Sequence, residues 1–249
     1  MLPIKHFFGS YYGNKTKEYK YIKPFLPNDN KIMVEPFCGT FAISRLHYYD
    51  TDKFIVHIND LSIEIKVVVE LIRDKFDDFT ILLNNLKNND DKNKLLTFVK
   101  DDDLKSYLKN AFMVRGMCQK PPKLFDYSDL HNYLKKIKFT NNDYKVILDL
   151  YKDNEEAFLF CDPPYFDSRN SNYNTNMFNL SQDKVIKDNT IMYVDLAKYF
   201  KECKCKIMLV VNDNNLMRYI FDGYVKSSYD VIYQICKKKT KHLIITNYE

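Results

Sequence analysis

Apolar residues follow two alternating rhythms along this chain. Short runs centred on Ile32-Met33-Val34, Phe54–Ile58, Ala157–Phe160 and Lys206–Val211 each end at polar or turn-forming residues. Runs of that length, rich in branched and aromatic side chains, predict strands buried on both faces, as in a parallel sheet. Between them apolar residues recur at three- and four-residue intervals, the mark of helices. These are expected at about Lys17–Phe25, Phe41–Tyr49, Ser62–Phe76 (through Val67, Val68, Leu71, Ile72 and Phe76), Phe79–Leu86, Lys92–Phe98 and Leu104–Met113. Asp101-Asp102-Asp103 reads as the N-terminus of the last of these. A short strand follows near Ile137–Thr140, then helices reaching Tyr151, spanning Ile191–Glu202 and reaching Phe221. Tyr229–Cys236 and His242–Asn247, around the basic run 237–241, predict a terminal antiparallel hairpin. Strand, turn, helix and strand in this order make the chain α/β. Residues 74–135 read as a helical insertion into a domain built from 1–73 and 136–249.

The strand at 157 runs into Asp162-Pro163-Pro164-Tyr165. Ligands of open α/β sheets bind outside the carboxyl ends of the strands, where this turn is expected to stand. Two prolines fix φ and remove two donors, leaving a stiff turn whose carbonyls are free to accept. An acid and an aromatic ring on such a turn suit a planar ligand with N–H groups. The bland alternative is a turn-capping acid after a buried strand.

Composition changes this picture little. The chain has 45% hydrophobic and 29% charged residues and a formal net charge of +5, which permits a nucleic-acid partner without requiring one. Its six cysteines show no paired CxxC spacing, and Cys203-x-Cys205 lacks a second pair. Reduced thiols, no metal and a cytoplasmic setting are therefore expected. No apolar run reaches membrane-spanning length, and no signal-peptide core opens the sequence.

Taken in order, these motifs resemble the Dam-type family of adenine-specific DNA N6-methyltransferases. Tyr11-Tyr12-Gly13-Asn14-Lys15 is similar to the family's aromatic-x-x-x-Lys element, and Glu35-Pro36-Phe37-Cys38-Gly39-Thr40-Phe41 to its cofactor loop. Asp60 matches the acid after the second strand, Asn141-Asn142-Asp143-Tyr144 the Asn-x-Asp-Phe element, and residues 162–165 the catalytic tetrad. Leu243–Tyr248 is similar to the family's Leu-Ile-x-Thr-Asn-Tyr ending. One departure stands out: the loop's last glycine is Phe41 here, and glycine is the residue that permits positive φ and close backbone approach.

The resemblance implies a Rossmann-like S-adenosylmethionine-dependent sheet and methyl transfer to the exocyclic amine of a flipped adenine in double-stranded DNA. It assigns catalysis to Asp162, Pro163, Pro164 and Tyr165. The cofactor falls to Tyr11, Lys15, Glu35, Pro36, Phe37, Gly39, Thr40, Asp60, Asp143, Tyr144 and Asp162. Asp60 would take the ribose hydroxyls or else cap a helix; Thr40 has the same bland alternative. Arg115, Lys120 and Lys123, in the segment where the family places target recognition, are expected on DNA. The loop Ser168–Asn176 is a candidate for holding the duplex open, and the run 237–241 is either solvated or on phosphates. A stand-alone enzyme and the modification half of a restriction system are both compatible with this, as is a homodimer or a partner subunit. The alternatives are a catalytically silent DNA-binding subunit, which Phe41 motivates, and methylation of RNA.

Overall fold

Strands β1 (Ile32–Glu35), β2 (Ile55–Asn59), β3 (Lys138–Thr140), β4 (Ala157–Cys161), β5 (Lys206–Asn212), β6 (Val225–Tyr233) and β7 (Lys238–Thr246) form one seven-stranded sheet, ordered β3-β2-β1-β4-β5-β7-β6. β2 runs parallel to β3 and β4 to β5, whereas β7 is antiparallel to both β5 and β6. The structure is a computed structural model and describes residues 4, 6–8, 14–49, 52–88, 99–112, 125–165, 182–233 and 238–249. Tyr11, the helix expected at 92–98, Arg115, Lys120, Lys123 and the loop 168–176 lie outside these residues.

The chain divides into two compact units, one of Met1–Tyr19 with Met33–Tyr144 and one of Lys20–Ile32 with Lys145–Glu249. After the short helix α1 (Tyr19–Ile22), the first unit carries α2 (Ala42–His47), α3 (Ile63–Asp74), α4 (Phe76–Asn88), α5 (Asp102–Phe112) and α6 (Ser128–Lys136). Ser62 caps α3, its hydroxyl accepting from the Ile65 N–H at 3.4 Å. The buried stripe of α3 is Ile65, Val68, Val69 and Ile72, so Val67 and Leu71 of the expected stripe sit half-exposed at its margin. Asp101 accepts from the Leu104 N–H at 2.9 Å, with Asp102 and Asp103 in the first turn of α5. An aromatic cluster of Phe8, Phe79, Tyr107 and Tyr127 fills the centre of this layer, and the Tyr107 hydroxyl donates to the Phe8 carbonyl. Helix α6 has no counterpart among the expected elements. Its Leu130, Tyr133 and Leu134 are buried at helical spacing, but Ser128, Asp129, His131, Asn132, Lys135 and Lys136 surround them and mask the signal.

The second unit carries α7 (Tyr144–Tyr151) from Lys145 on, α8 (Gln182–Glu202) and α9 (Asn215–Ile220). Every residue of β4 is buried, as expected of a central parallel strand. α8 starts at Gln182, ahead of the Ile191 start that periodicity suggested, because Gln182–Thr190 is dominated by polar residues, among them Asp and Asn of weak helix propensity. The hairpin β6–β7 forms as expected, with Tyr229 opposite His242. The Thr246-Asn247-Tyr248 ending is a fastening. Asn247 accepts from the Ile207 N–H at 2.7 Å and donates to the Cys205 carbonyl at 3.0 Å, and the Tyr248 hydroxyl donates to the Phe25 carbonyl at 2.9 Å.

Candidate active site

Residues 35–41 leave the end of β1 and fold into the tight loop that starts α2. Glu35 is buried, and its carboxylate accepts from the Ser44 N–H at 2.7 Å. A strand-end acid thus satisfies one of the orphan donors of α2 and places negative charge at its positive end. Neither Phe41 nor Thr40 caps that helix through a side chain; Thr40 is buried and offers its carbonyl to the Arg45 Nε at 2.8 Å. Gly39 lies in the left-handed region with φ 46°, a conformation open to glycine without strain, and its N–H donates to the Asp60 carboxylate at 2.7 Å. Phe41 adopts φ 41°, the one positive φ among the described non-glycine residues. Phe41 thus holds a backbone conformation that glycine adopts without strain. The ring is wholly buried, edge-on to Phe7 at 5.1 Å and stacked towards Tyr133 at 6.3 Å, so it fills core space.

Asn59, the last residue of β2, organises everything around this loop. It is wholly buried, and its Nδ2 donates to the carbonyls of Pro36 and Asn142, both at 3.0 Å. Its Oδ1 accepts from the Thr140 hydroxyl at 2.8 Å and the Asn142 N–H at 3.0 Å. One side chain thereby ties the β1 loop to the β3 turn. Since Thr140 donates its hydroxyl proton to Asn59, the His57 Nε2, 2.9 Å from the same oxygen, is the donor in its contact. Burial holds this imidazole neutral, with its pKa pushed down to about 4, and the Lys138 charge adds to the effect. No pattern in the sequence pointed to Asn59 or His57, because their partners arrive from other loops.

Asp60 is placed one residue beyond. Its two oxygens accept from Gly39 at 2.7 Å and Ser62 at 2.9 Å, and Asn141 donates to its carbonyl at 2.6 Å. Burial raises the Asp60 pKa while the two N–H donors pull it back. Two of about four lone-pair positions on this carboxylate are thus used, leaving acceptors for a further hydroxyl pair. Phe37 and Tyr144 stack at 5.1 Å and 27°, both half-buried, and Asp143 is exposed directly before α7. A glycine-lined turn, an acid with spare acceptors and half-buried rings fit a nucleoside-bearing cofactor. Lys15 is buried in the turn that leads into α1, its Nζ 3.9 Å from Glu18 and its carbonyl accepting from the Tyr19 N–H at 2.8 Å. Pro36 is buried beneath the loop.

In the second unit the Asp162-Pro163-Pro164-Tyr165 turn follows β4. Pro163 is buried, and Asp162, Pro164 and Tyr165 are half-buried. The Tyr165 hydroxyl donates to Asp162 at 3.3 Å. The Tyr193 hydroxyl donates to the Pro164 carbonyl at 3.1 Å, and Asn189 to the Tyr165 carbonyl at 3.4 Å. Among the described residues no donor meets the Pro163 carbonyl. The Tyr165 ring packs edge-on against His242 of β7 at 5.1 Å, and His242 against Tyr229 of β6 at 5.6 Å. His242, Tyr193 and Asn189 were not foreseen; their segments read only as a hairpin strand and a helix. No group of three or more possible metal ligands occurs among the described residues.

Parallel strands with a reversed β7 set between β5 and β6, and candidate functional residues at the carboxyl ends of β1, β2 and β4, make this a Rossmann-like α/β fold. Residues 11–115 match the profile of the D12 class N6 adenine-specific DNA methyltransferases. It is 23% identical to the Type II methyltransferase M.CviBI of Paramecium bursaria Chlorella virus NC1A over 266 aligned residues, covering 95% of this chain and 97% of that protein. Among solved structures, TrmN from Thermus thermophilus has a TM-score of 0.44 at 9% identity, covering 92% of this chain, and this chain spans 48% of its length. The METTL16 methyltransferase domain gives 0.44 at 9% identity, covering 94% of this chain and 82% of that domain.

Proposed function

We propose that the chain methylates N6 of an adenine flipped out of double-stranded DNA, with S-adenosylmethionine as donor. The observation that carries this reading is the Asp162–Tyr165 turn, whose Pro164 and Tyr165 carbonyls are engaged while that of Pro163 has no described donor. An exocyclic amine presents two N–H groups. Asp162 and the Pro163 carbonyl are the two acceptors, and accepting both withdraws the nitrogen lone pair from the ring and aims it. Asp162 then holds the proton that the amine sheds. Tyr165 offers a ring face to the extruded base, with His242 behind it.

S-adenosylmethionine supplies an electrophilic methyl on a sulfonium centre. On the chain's side, Asp60 takes the ribose hydroxyls, Phe37, Asp143 and Tyr144 the adenine end, and Glu35, Pro36, Gly39, Thr40 and Asp162 the remainder, with Tyr11 and Lys15 closing over it. The proposal places DNA contacts at Arg115, Lys120 and Lys123 and helical target recognition at 74–135. The relative M.CviBI supports a role as the modification partner of a restriction system.

Nucleoside mass spectrometry tests the whole reading. Purified protein, S-adenosylmethionine and mixed-sequence duplex DNA or RNA should yield N6-methyladenine in the DNA. Product in RNA alone transfers the activity to RNA, and no product from folded protein leaves a silent DNA-binding subunit.

A further inference from the structure

Arg45 is wholly buried on α2, and its function is not absorbed by the site just described. Its Nε donates to the Thr40 carbonyl at 2.8 Å and its Nη1 to the Ile4 carbonyl at 2.9 Å. The guanidinium lies over the rings of Phe41 at 5.5 Å and Phe7 at 5.8 Å. Its Nη2 is buried and, among the described residues, meets no acceptor. Burial lowers its pKa to about 10, with the Glu35 charge opposing, so the group stays cationic at neutral pH. A buried cation is expensive to keep, and this one is only partly hydrogen-bonded. What it touches explains its retention: the carbonyl immediately before the strained residue, and the ring of that residue.

We propose that Arg45 is a positioning residue for the cofactor loop, holding the left-handed backbone at Phe41 that a glycine would adopt unaided. A bulky residue at positive φ relaxes unless its surroundings over-determine it. Here the Nε bond fixes the Thr40 peptide, and the guanidinium face and Phe7 fix the ring. The Nη1 bond ties the same loop to the N-terminal segment through Ile4. Arginine is the side chain for this task because its planar fork spans two carbonyls while presenting a face to aromatic rings; lysine offers a single point charge. Phe41 and Arg45 are then one device, a replacement for the missing glycine. The inference rests on residues 35–41 being the cofactor loop.

Calorimetric titration of the full chain with S-adenosylhomocysteine tests it, using R45M, R45K, F41G and the double variant F41G/R45M. Release of left-handed strain into the loop should weaken binding roughly 10- to 100-fold in R45M. R45K should fall between R45M and wild type. F41G should bind within about threefold of wild type while melting earlier, since glycine adopts this φ unstrained but leaves the ring's space empty. The deciding comparison is the double variant. If Arg45 acts by holding a strained loop, glycine at 41 makes it dispensable, and F41G/R45M binds more tightly than R45M despite its lower melting temperature. A purely structural arginine predicts the reverse, a double variant no better than R45M, and that result overturns the proposal. R45M binding as tightly as wild type overturns it too. Wild type that fails to bind S-adenosylhomocysteine instead removes the cofactor-loop reading itself. Should R45M not fold, R45K with F41G/R45K completes the same cycle.

Discussion

Replacing Asn59 by alanine deletes four hydrogen bonds at once, two donated at 3.0 Å to Pro36 and Asn142 and two accepted at 2.8 and 3.0 Å from Thr140 and Asn142. A net value of about 1 kcal/mol per bond gives a loss of roughly 4 kcal/mol. Asn59 and Pro36 are buried, so the abandoned Pro36 carbonyl has little access to replacement water, whereas the exposed Asn142 groups can recover it, which makes the figure an upper bound. That is a large part of the 5–15 kcal/mol typical of a domain. Urea denaturation at neutral pH measures it directly. Asn59→Asp should do worse than alanine: it keeps the shape and the acceptor but sets a buried anion against two carbonyls. Combination with Thr140→Val should be sub-additive by about 1 kcal/mol, because both remove the same 2.8 Å bond. A loss below 1 kcal/mol in Asn59→Ala, or an aspartate variant as stable as wild type, would refute the claim that this side chain staples the two loops.

Other consequences are as direct. Asp162→Ala should abolish transfer, by at least about a thousandfold, while the melting temperature moves only a few degrees, because the side chain is half-buried; near-normal turnover in that variant would remove Asp162 from the chemistry. Tyr165→Ala should lower kcat/KM for DNA by roughly 10- to 100-fold through lost base stacking, and Tyr165→Phe much less, since it keeps the ring while giving up the 3.3 Å bond to Asp162. His57 has a folded-state pKa of about 4 against an ordinary 6.5, so the unfolded chain binds the proton more readily. Its effect is nil above pH 6.5, and stability drains away as pH falls from 6.5 towards 4, by roughly 3 kcal/mol in full. Denaturation curves across that window should flatten in His57→Gln, and an unchanged slope would show that other groups carry the acid sensitivity.

Local signals made much of this molecule legible. β1 and β4 are short apolar runs ending at an acid, and both the strands and the motif residues at their ends could be read from neighbouring positions. The same holds for the terminal hairpin. What stayed hidden depends on distance or on backbone angle. Asn59 matters because residues 36 and 142 come to it, a fact no window around position 59 contains. His242 stood unremarked in a hairpin strand until β6 and the turn after β4 were seen to close on it with aromatic rings. Phe41 is a subtler case. The sequence spells residue types, and a phenylalanine does not advertise a left-handed backbone; the φ of 41° occurs with Phe7, Tyr133 and Arg45 packed on the ring.

The sheet order also carries a statement about time. β7 is made after β5 and β6, yet lies between them and pairs with both. While the ribosome is still translating residues 238–246, β6 has no neighbour to bond and β5 has an open edge. Exposed edges of that kind recruit other chains. The unit bearing the Asp162–Tyr165 turn therefore closes its sheet only once β7 has inserted between two strands made before it.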